Sequence, residues 1–270
     1  MVDLHSHLLY GLDDGPEAVE GSLAIARAAA GAGVRTMVAT PHVSHRYPNR
    51  STAIDERAAE LRARLEREQL DLEVATGAEL APSHLPELDS AELARLRLGD
   101  GPWLLLECPL QVDAPPLAPL VDALHGIGHR VLLAHPERSP NFQRDPASLA
   151  ELVRAGALTS LTAGALDGQF GRTVRRFSLE LVSSGLVHSV ASDCHDRYHR
   201  PPGMARAVSG AGLDALADWL TREVPAAILA GTDIPPRPPA GSAGRGLGPK
   251  AWWRNRGRPA ASRAGRPASS

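Results

Sequence analysis

The chain has 270 residues, 43% of them hydrophobic, with 29 basic and 31 acidic side chains and a formal net charge of −2. That length fits one large domain or two small ones, and no apolar run approaches the roughly 20 residues needed to span a bilayer. Two cysteines, Cys108 and Cys194, make no disulfide framework; with no secretory leader pattern at the N-terminus, a cytoplasmic protein is expected.

Strand-like and helix-like runs alternate along the chain. Val2–Leu9 reads as a strand, Glu17–Ala32 as an Ala/Leu-rich helix stopped by Gly33, and Val34–Thr40 as a strand. An Arg/Glu-rich amphipathic helix follows over Ile54–Gln69, then a strand over Leu72–Ala78. Trp103–Cys108 is almost wholly apolar, as expected of a strand buried on both faces. Leu117–Ile127 is predicted helical, Val131–Ala134 extended, and Pro146–Ala155 helical with proline near its first turn. Leu158–Ala163 and Val187–Ser192 are predicted strands flanking a helix over Arg172–Ser184, with further helices to about Ala230. Seven strands alternating with helices indicate parallel βα units. From Pro235 onward the chain is rich in Pro, Gly, Ala, Ser and Arg and carries eight basic residues and no acid. Such a segment cannot bury enough apolar surface to offset its chain entropy. A folded domain over 1–234 and a disordered basic tail over 235–270 are expected.

Candidate metal ligands recur where the strands end. The first strand carries His5 and His7, two residues apart and therefore on one face, followed by Asp13-Asp14-Gly15. Later strands end in Thr40-Pro41-His42, Ala78-Glu79, Glu107-Cys108, Ala134-His135-Pro136-Glu137-Arg138 and Ser192-Asp193-Cys194-His195. A single histidine after a strand is more often a hydrogen-bonded structural residue than a ligand. The argument rests on the coincidence repeating in register with the strand pattern. In parallel barrels the loops at the C-terminal strand ends share one mouth, where active sites lie. His and carboxylate donors without cysteine suit Mn, Fe or Zn, and a bridging carboxylate holds two ions about 3.5–4 Å apart. Glu107, after Trp103-Leu104-Leu105-Leu106, would be costly to bury unless paired or metal-bound.

The ordered set DLHSH, DDGP, ATPH, GAEL, LLECP, AHPER and ASDCH resembles the PHP-domain metallophosphatases, from Met1 to about Ile234. Within that superfamily it is most similar to the bacterial manganese-dependent protein-tyrosine phosphatases of capsule and exopolysaccharide operons. The resemblance implies a single-domain α/β fold, a distorted (β/α)7 barrel, holding three metal ions. His5, His7, Glu79 and Asp193 would hold one ion. Glu79 would bridge to a second held by Glu107 and His135. Asp14, His42 and His195 would hold the third. Manganese is the expected metal, with iron or zinc as alternatives. Arg138, the arginine of the HPER motif, and Arg200 are the candidates to bind phosphoryl oxygens. Asp13 is expected to order the turn beside Asp14.

Cys194 and Arg200 also satisfy the bare C-x5-R spacing of cysteine-dependent phosphatases. The intervening residues contain no glycine to bring a loop close to phosphate, so Cys194 and Cys108 are read as small filler residues. The expected function is hydrolysis of phosphotyrosine by a metal-activated hydroxide without a phosphoenzyme. The expected substrate, from the resemblance, is the tail of a bacterial tyrosine kinase of polysaccharide export. The alternatives are a small-molecule phosphatase, such as a histidinol-phosphatase, and a non-catalytic kinase-docking module. No nucleic-acid partner is expected, and self-association is left open. Trp252 and Trp253 among the basic residues of the tail suggest weak contact with anionic membrane.

Overall fold

The computed structural model describes residues 1–239. Its strands are β1 (Val2–Ser6), β2 (Thr36–Ala39), β3 (His42–Val43), β4 (Glu73–Thr76), β5 (Glu79–Leu80), β6 (Trp103–Glu107), β7 (Arg130–Ala134), β8 (Leu158–Thr162) and β9 (Ser189–Ala191). They form two sheets, in the orders β1-β2-β4 and β3-β5-β6-β7-β8-β9, with every pairing parallel. One closed barrel of seven strands was expected; among the described residues the strands form two sheets and no closed barrel. Two of the seven expected strands, Val34–Thr40 and Leu72–Ala78, end at a break, beyond which β3 and β5 continue as two-residue strands that were not expected. The first breaks at Thr40-Pro41, where proline has no N–H to give to a ladder. The second breaks at Gly77-Ala78.

Single hydrogen bonds tie the pieces together. Gly77 N–H donates to Ala39 O at 3.0 Å and Glu79 N–H to Pro41 O at 3.1 Å, so the two broken paths stay side by side. At the other margin Asp193 N–H donates to His5 O at 2.8 Å and His7 N–H to Cys194 O at 2.9 Å. Asp3 Oδ1 accepts from Ser192 N–H at 2.9 Å. The segment after β9 therefore meets β1 directly.

The core follows the predicted pattern. Leu104, Leu105 and Leu106 of β6 and Leu132 and Leu133 of β7 are fully buried, because β6 has a strand on each side and layers on both faces. Helix Ser51–Arg67 buries Ile54, Ala58, Leu61 and Leu65, one stripe at helical spacing, and exposes its Arg/Glu face. Burying each of its large aliphatic side chains contributes about 1.5–3 kcal/mol. Helix Gly171–Ser183 does the same with Phe177, Leu181 and Val182. Three short helices, Ser90–Arg95, Pro140–Arg144 and Ala163–Asp167, were not foreseen. At five or six residues each, they are too short for an apolar period to register.

Contacts of the folded unit continue past Ile234. Trp219 Nε1 donates to Pro235 O at 3.0 Å, and Arg237 donates to Val182 O at 2.8 Å with its guanidinium over the Trp219 ring. The rest of the predicted tail, including Trp252 and Trp253, lies outside the described residues. Among the described residues no helix is long and apolar enough to cross a membrane.

His188 is a half-buried reporter of this packing. Its Nδ1 accepts from Thr159 N–H at 3.2 Å, and burial, reinforced by Arg237, pushes its pKa down to about 4. The unfolded chain then binds a proton that the folded chain refuses. The resulting stability is present above about pH 6.5 and is lost as pH falls toward 4. Denaturant unfolding from pH 7 to 4 should show wild type losing about 3 kcal/mol more than His188→Gln. Parallel curves would show that His188 is not held neutral.

Candidate metal centre

β1 sets the first two donors. His5 and His7 straddle Ser6, whose hydroxyl donates to Val38 O at 2.7 Å and anchors the strand between them. Both rings face the same space, with centroids 5.3 Å apart. Glu79 enters at the start of β5, 1% exposed, and Asp193 follows β9, 2% exposed. His5 Nε2 and His7 Nε2 lie 3.3 Å apart, and each lies 3.1–3.6 Å from Glu79 Oε2 and from Asp193 Oδ1. Ligands about 2.1 Å from a common ion sit about 3.0–3.4 Å apart at octahedral or tetrahedral corners. Two imidazole nitrogens 3.3 Å apart, each against carboxylate oxygens, are arranged as donors around a cation.

The remaining candidates adjoin this group. His135 Nε2 lies 2.7 Å from Glu79 Oε1, on the side of that carboxylate away from His7. Glu107, Glu79 and His42 offer a third set of mutually close donors, and Asp14, His42, His195 and His7 a fourth. Asp14 Oδ1 is 3.4 Å from His195 Nε2 and 3.7 Å from His42 Nε2. All nine residues singled out as ligands from sequence thus share one cluster, with Glu79 touching four of the histidines.

The electrostatics suit ligation. Burial lowers the pKa of His42, His135 and His195, favouring the neutral rings that ligation needs. At His5 burial opposes protonation, but Glu79 and Asp193 outweigh it and raise the pKa. Glu79 and Asp193 are themselves held well below the usual carboxylate range, because the surrounding imidazoles overcome the cost of burial. His195, close against Asp14, likewise lowers the pKa of that carboxylate. Glu107 goes the other way, to about 7, through burial and then the neighbouring charge of Glu79. These donor types and their spacing fit divalent metal ions.

Two backbone positions aim the donors. His135 and Asp193, each one or two residues beyond its strand, have φ of +38° and +52°. Non-glycine residues rarely occupy this left-handed region, and the strain persists only where the surroundings enforce it. Here His135 N–H is fixed to Ser160 O and Asp193 N–H to His5 O, each at 2.8 Å. Gly15 serves the same end by its small size: a Cβ there would fall 2.4 Å from His7 O.

Arg138 and Arg200 converge on the second oxygen of Asp193. Arg138 donates to Oδ2 at 3.0 Å; Arg200 donates to the same atom, and at 2.8 Å to His195 Nε2. Both guanidiniums border the cluster and remain partly exposed.

Sequence reasoning understated Asp13 and missed Phe170 and Tyr47. Asp13 does order its turn, accepting from Gly15 N–H at 2.9 Å. It also accepts from His42 N–H at 2.9 Å and lies 2.6 Å from His7 Nδ1, which turns His7 Nε2 toward Glu79. A D-D pair followed by Gly was the available signal. The Phe170 ring lies 4.5 Å beneath the Arg138 guanidinium, and Tyr47 stacks on His42 at 5.9 Å. No periodicity marks a lone aromatic in a loop.

The cysteine alternative fails on geometry. Cys194 is fully buried, and burial pushes its pKa up to about 12. The following loop turns its amides onto its own carboxylate: Asp196 Oδ1 accepts from both Tyr198 and His199 N–H at 2.6 Å. Those are the donors a phosphate-binding loop would need. Both thiols should resist iodoacetamide at pH 8 in the folded protein and label fully in denaturant. Rapid labelling of Cys194 in the native state would restore the thiolate reading.

The model of the family described as "Capsular polysaccharide synthesis, CpsB/CapC" matches residues 1–213. The tyrosine-protein phosphatase YwqE of Bacillus subtilis is 38% identical over 197 residues, spanning 73% of this chain and 78% of that protein. The tyrosine-protein phosphatase CpsB of Streptococcus pneumoniae is 28% identical over 218 residues, or 77% and 88% of the two chains. A crystal structure from work on YwqE and CpsB, described as unique metal-dependent tyrosine phosphatases, superposes with a TM-score of 0.78 at 32% identity. It covers 88% of this chain and 98% of that one. The match thus runs through every strand that supplies a donor, and the chain belongs to the CpsB/CapC family of capsular polysaccharide synthesis.

Proposed function

We propose that this chain is a metal-dependent protein-tyrosine phosphatase of capsule or exopolysaccharide production. It acts in the cytoplasm on phosphotyrosine, with the tail of a bacterial tyrosine kinase as substrate. The observation that carries this reading is the gathering of nine His and carboxylate donors beside two arginines, in a family whose curated relatives are named tyrosine-protein phosphatases. Residues 1–234 form the catalytic unit and 235–270 an accessory tail. The two sheets are read as one distorted (β/α)7 barrel of the PHP type, each broken strand counted once. The bonds between β1 and the segment after β9 support that closure.

His5, His7, Glu79 and Asp193 are assigned to one ion, Glu79, Glu107 and His135 to a second, and Asp14, His42 and His195 to a third, with manganese the expected metal. Bound divalent ions would draw charge from the phosphoryl oxygens and make a water molecule acidic enough to attack at neutral pH. The protein supplies the rest. Asp13 holds His7 in one orientation, a role whose loss typically costs 10–100-fold in metal affinity. Arg138 and Arg200 offer N–H donors to the equatorial oxygens, where charge grows during transfer. Phe170 supports the flat face of Arg138. Neither cysteine is accessible to form a phosphoenzyme.

The decisive experiment compares a phosphotyrosine peptide with histidinol phosphate on metal-depleted protein, restoring Mn, Fe, Zn or Mg in turn. Hydrolysis of the peptide should return with metal, remain in Cys194→Ser and be absent from His135→Ala. Preference for histidinol phosphate would establish the small-molecule alternative, and no turnover with any metal would establish a docking module.

Arg138→Ala should lower kcat by about 10²–10³, or about 3–4 kcal/mol, with metal content unchanged. A fall of less than about threefold in turnover would show that Arg138 does not touch the phosphoryl group.

A further inference from the structure

A second group of metal-type donors stands on the rim, formed by His45, His84 and Glu87. None of the three belongs to the nine-residue cluster. His45 sits in a tight turn after β3, closed by Ser44 N–H donating to Tyr47 O and by a bridge between Val43 and Pro48. His84 lies just past β5, held by its N–H on Ala81 O at 3.0 Å. It opens the single 3₁₀ turn Leu85–Glu87, whose Glu87 N–H returns to His84 O at 3.0 Å. Residues three apart eclipse in such a turn, so Glu87 is folded back over His84. Because β3 and β5 are paired, with Val43 opposite Leu80, the two loops emerge side by side.

The Glu87 carboxylate faces both imidazoles. Its Oε1 lies 3.3 Å from His45 Nδ1 and its Oε2 3.4 Å from His84 Nδ1. The rings meet edge to face with centroids 4.9 Å apart. The His84 side chain is only 5% exposed, while those of His45 and Glu87 are 58% and 55% exposed. His84 Nδ1 is shut off from solvent and makes no hydrogen bond, although Glu87 is near. Its contact with the carboxylate has the separation of two ligands on a common ion but not the direction of a hydrogen bond. A buried ring nitrogen without a partner needs a reason.

We propose that His45, His84 and Glu87 form a separate site for a borderline divalent cation, Zn²⁺ above all. Two imidazoles and one carboxylate are a donor set that zinc takes readily, leaving a position open. Mg²⁺ and Ca²⁺ favour oxygen donors and are poor matches. The buried His84 supplies a fixed anchor, and rotation of the two exposed side chains closes the site around the ion. The open position faces solvent, so an outside ligand can complete the coordination. Bound there, the cation adds positive charge to loops in which His45 lies three residues after His42 and His84 five after Glu79.

The test counts zinc. Full-length wild type, His45→Ala, Glu87→Gln and the exposed-histidine control His199→Ala are equilibrated with the same buffered free Zn²⁺, and bound zinc per chain is measured by atomic emission. His45→Ala and Glu87→Gln should each carry one zinc fewer than wild type, and His199→Ala the same number as wild type. In ¹⁵N-edited spectra, Zn²⁺ should shift the His84 Nδ1 resonance in wild type and not in Glu87→Gln. Equal zinc counts in wild type and both variants would overturn the proposal. So would loss of all bound zinc in either variant, because the residues would then be acting on the main cluster. Both substitutions lie on the surface, which leaves the core intact. The one-zinc difference should persist in a His135→Ala background, which separates this site from the assignment of the main centre.

Discussion

The structure turns on one buried carboxylate. Glu79 sits in the interior with His5, His7, His42 and His135 around its two oxygens. A carboxylate in that position is tolerable only while positive charge, protons or metal are close at hand. The imidazoles answer that need, yet they come from β1, from β3 and from the end of β7, so no local segment can satisfy Glu79 alone. The polar centre therefore depends on the packing of distant strands, and the packing must accommodate a dense set of charges at one end. Burial pushes both Glu107 and Glu79 upward; at Glu79 the imidazoles overcome it, whereas at Glu107 the charge of Glu79 adds to it.

Around Glu79 the chain accepts local cost to aim side chains. His135 and Asp193 take left-handed backbone conformations just after their strands, where each N–H is fixed by a neighbouring strand. Asp193 then divides its oxygens, one toward His5 and His7 and the other toward Arg138 and Arg200. A single carboxylate thereby sets the distance between the metal-type donors and the guanidiniums. Asp13 plays a quieter part by fixing the ring of His7 and the backbone of His42 together.

Much of this was legible in the chain. Strands and helices with a clear apolar period, such as β6 and Ser51–Arg67, lie within a few residues of their expected bounds. The nine donors could be read because each follows a recognisable strand, so topology alone brings them to one end. The strands β3 and β5 were not legible, because two residues are too few to show a pattern and Thr40-Pro41 and Gly77-Ala78 read as the ends of the strands before them. Phe170 under Arg138 was invisible for a different reason: its partner is 32 residues away in sequence and is met only through the fold. Nothing along the chain signals that a 3₁₀ turn folds Glu87 back over His84.

The two strand breaks separate what the sheets do. Below Pro41 and Ala78, β2 and β4 pair with each other in continuous register; above, β3 and β5 join the second sheet and carry His42 and Glu79. A residue added or removed at the break would leave the β2–β4 pairing beneath it in step. Descendants of such a chain can therefore remodel the recognition edge around His42 while inheriting an unchanged foundation. A continuous ladder would deny them that freedom, because each inserted residue would turn the following side chains to the opposite face.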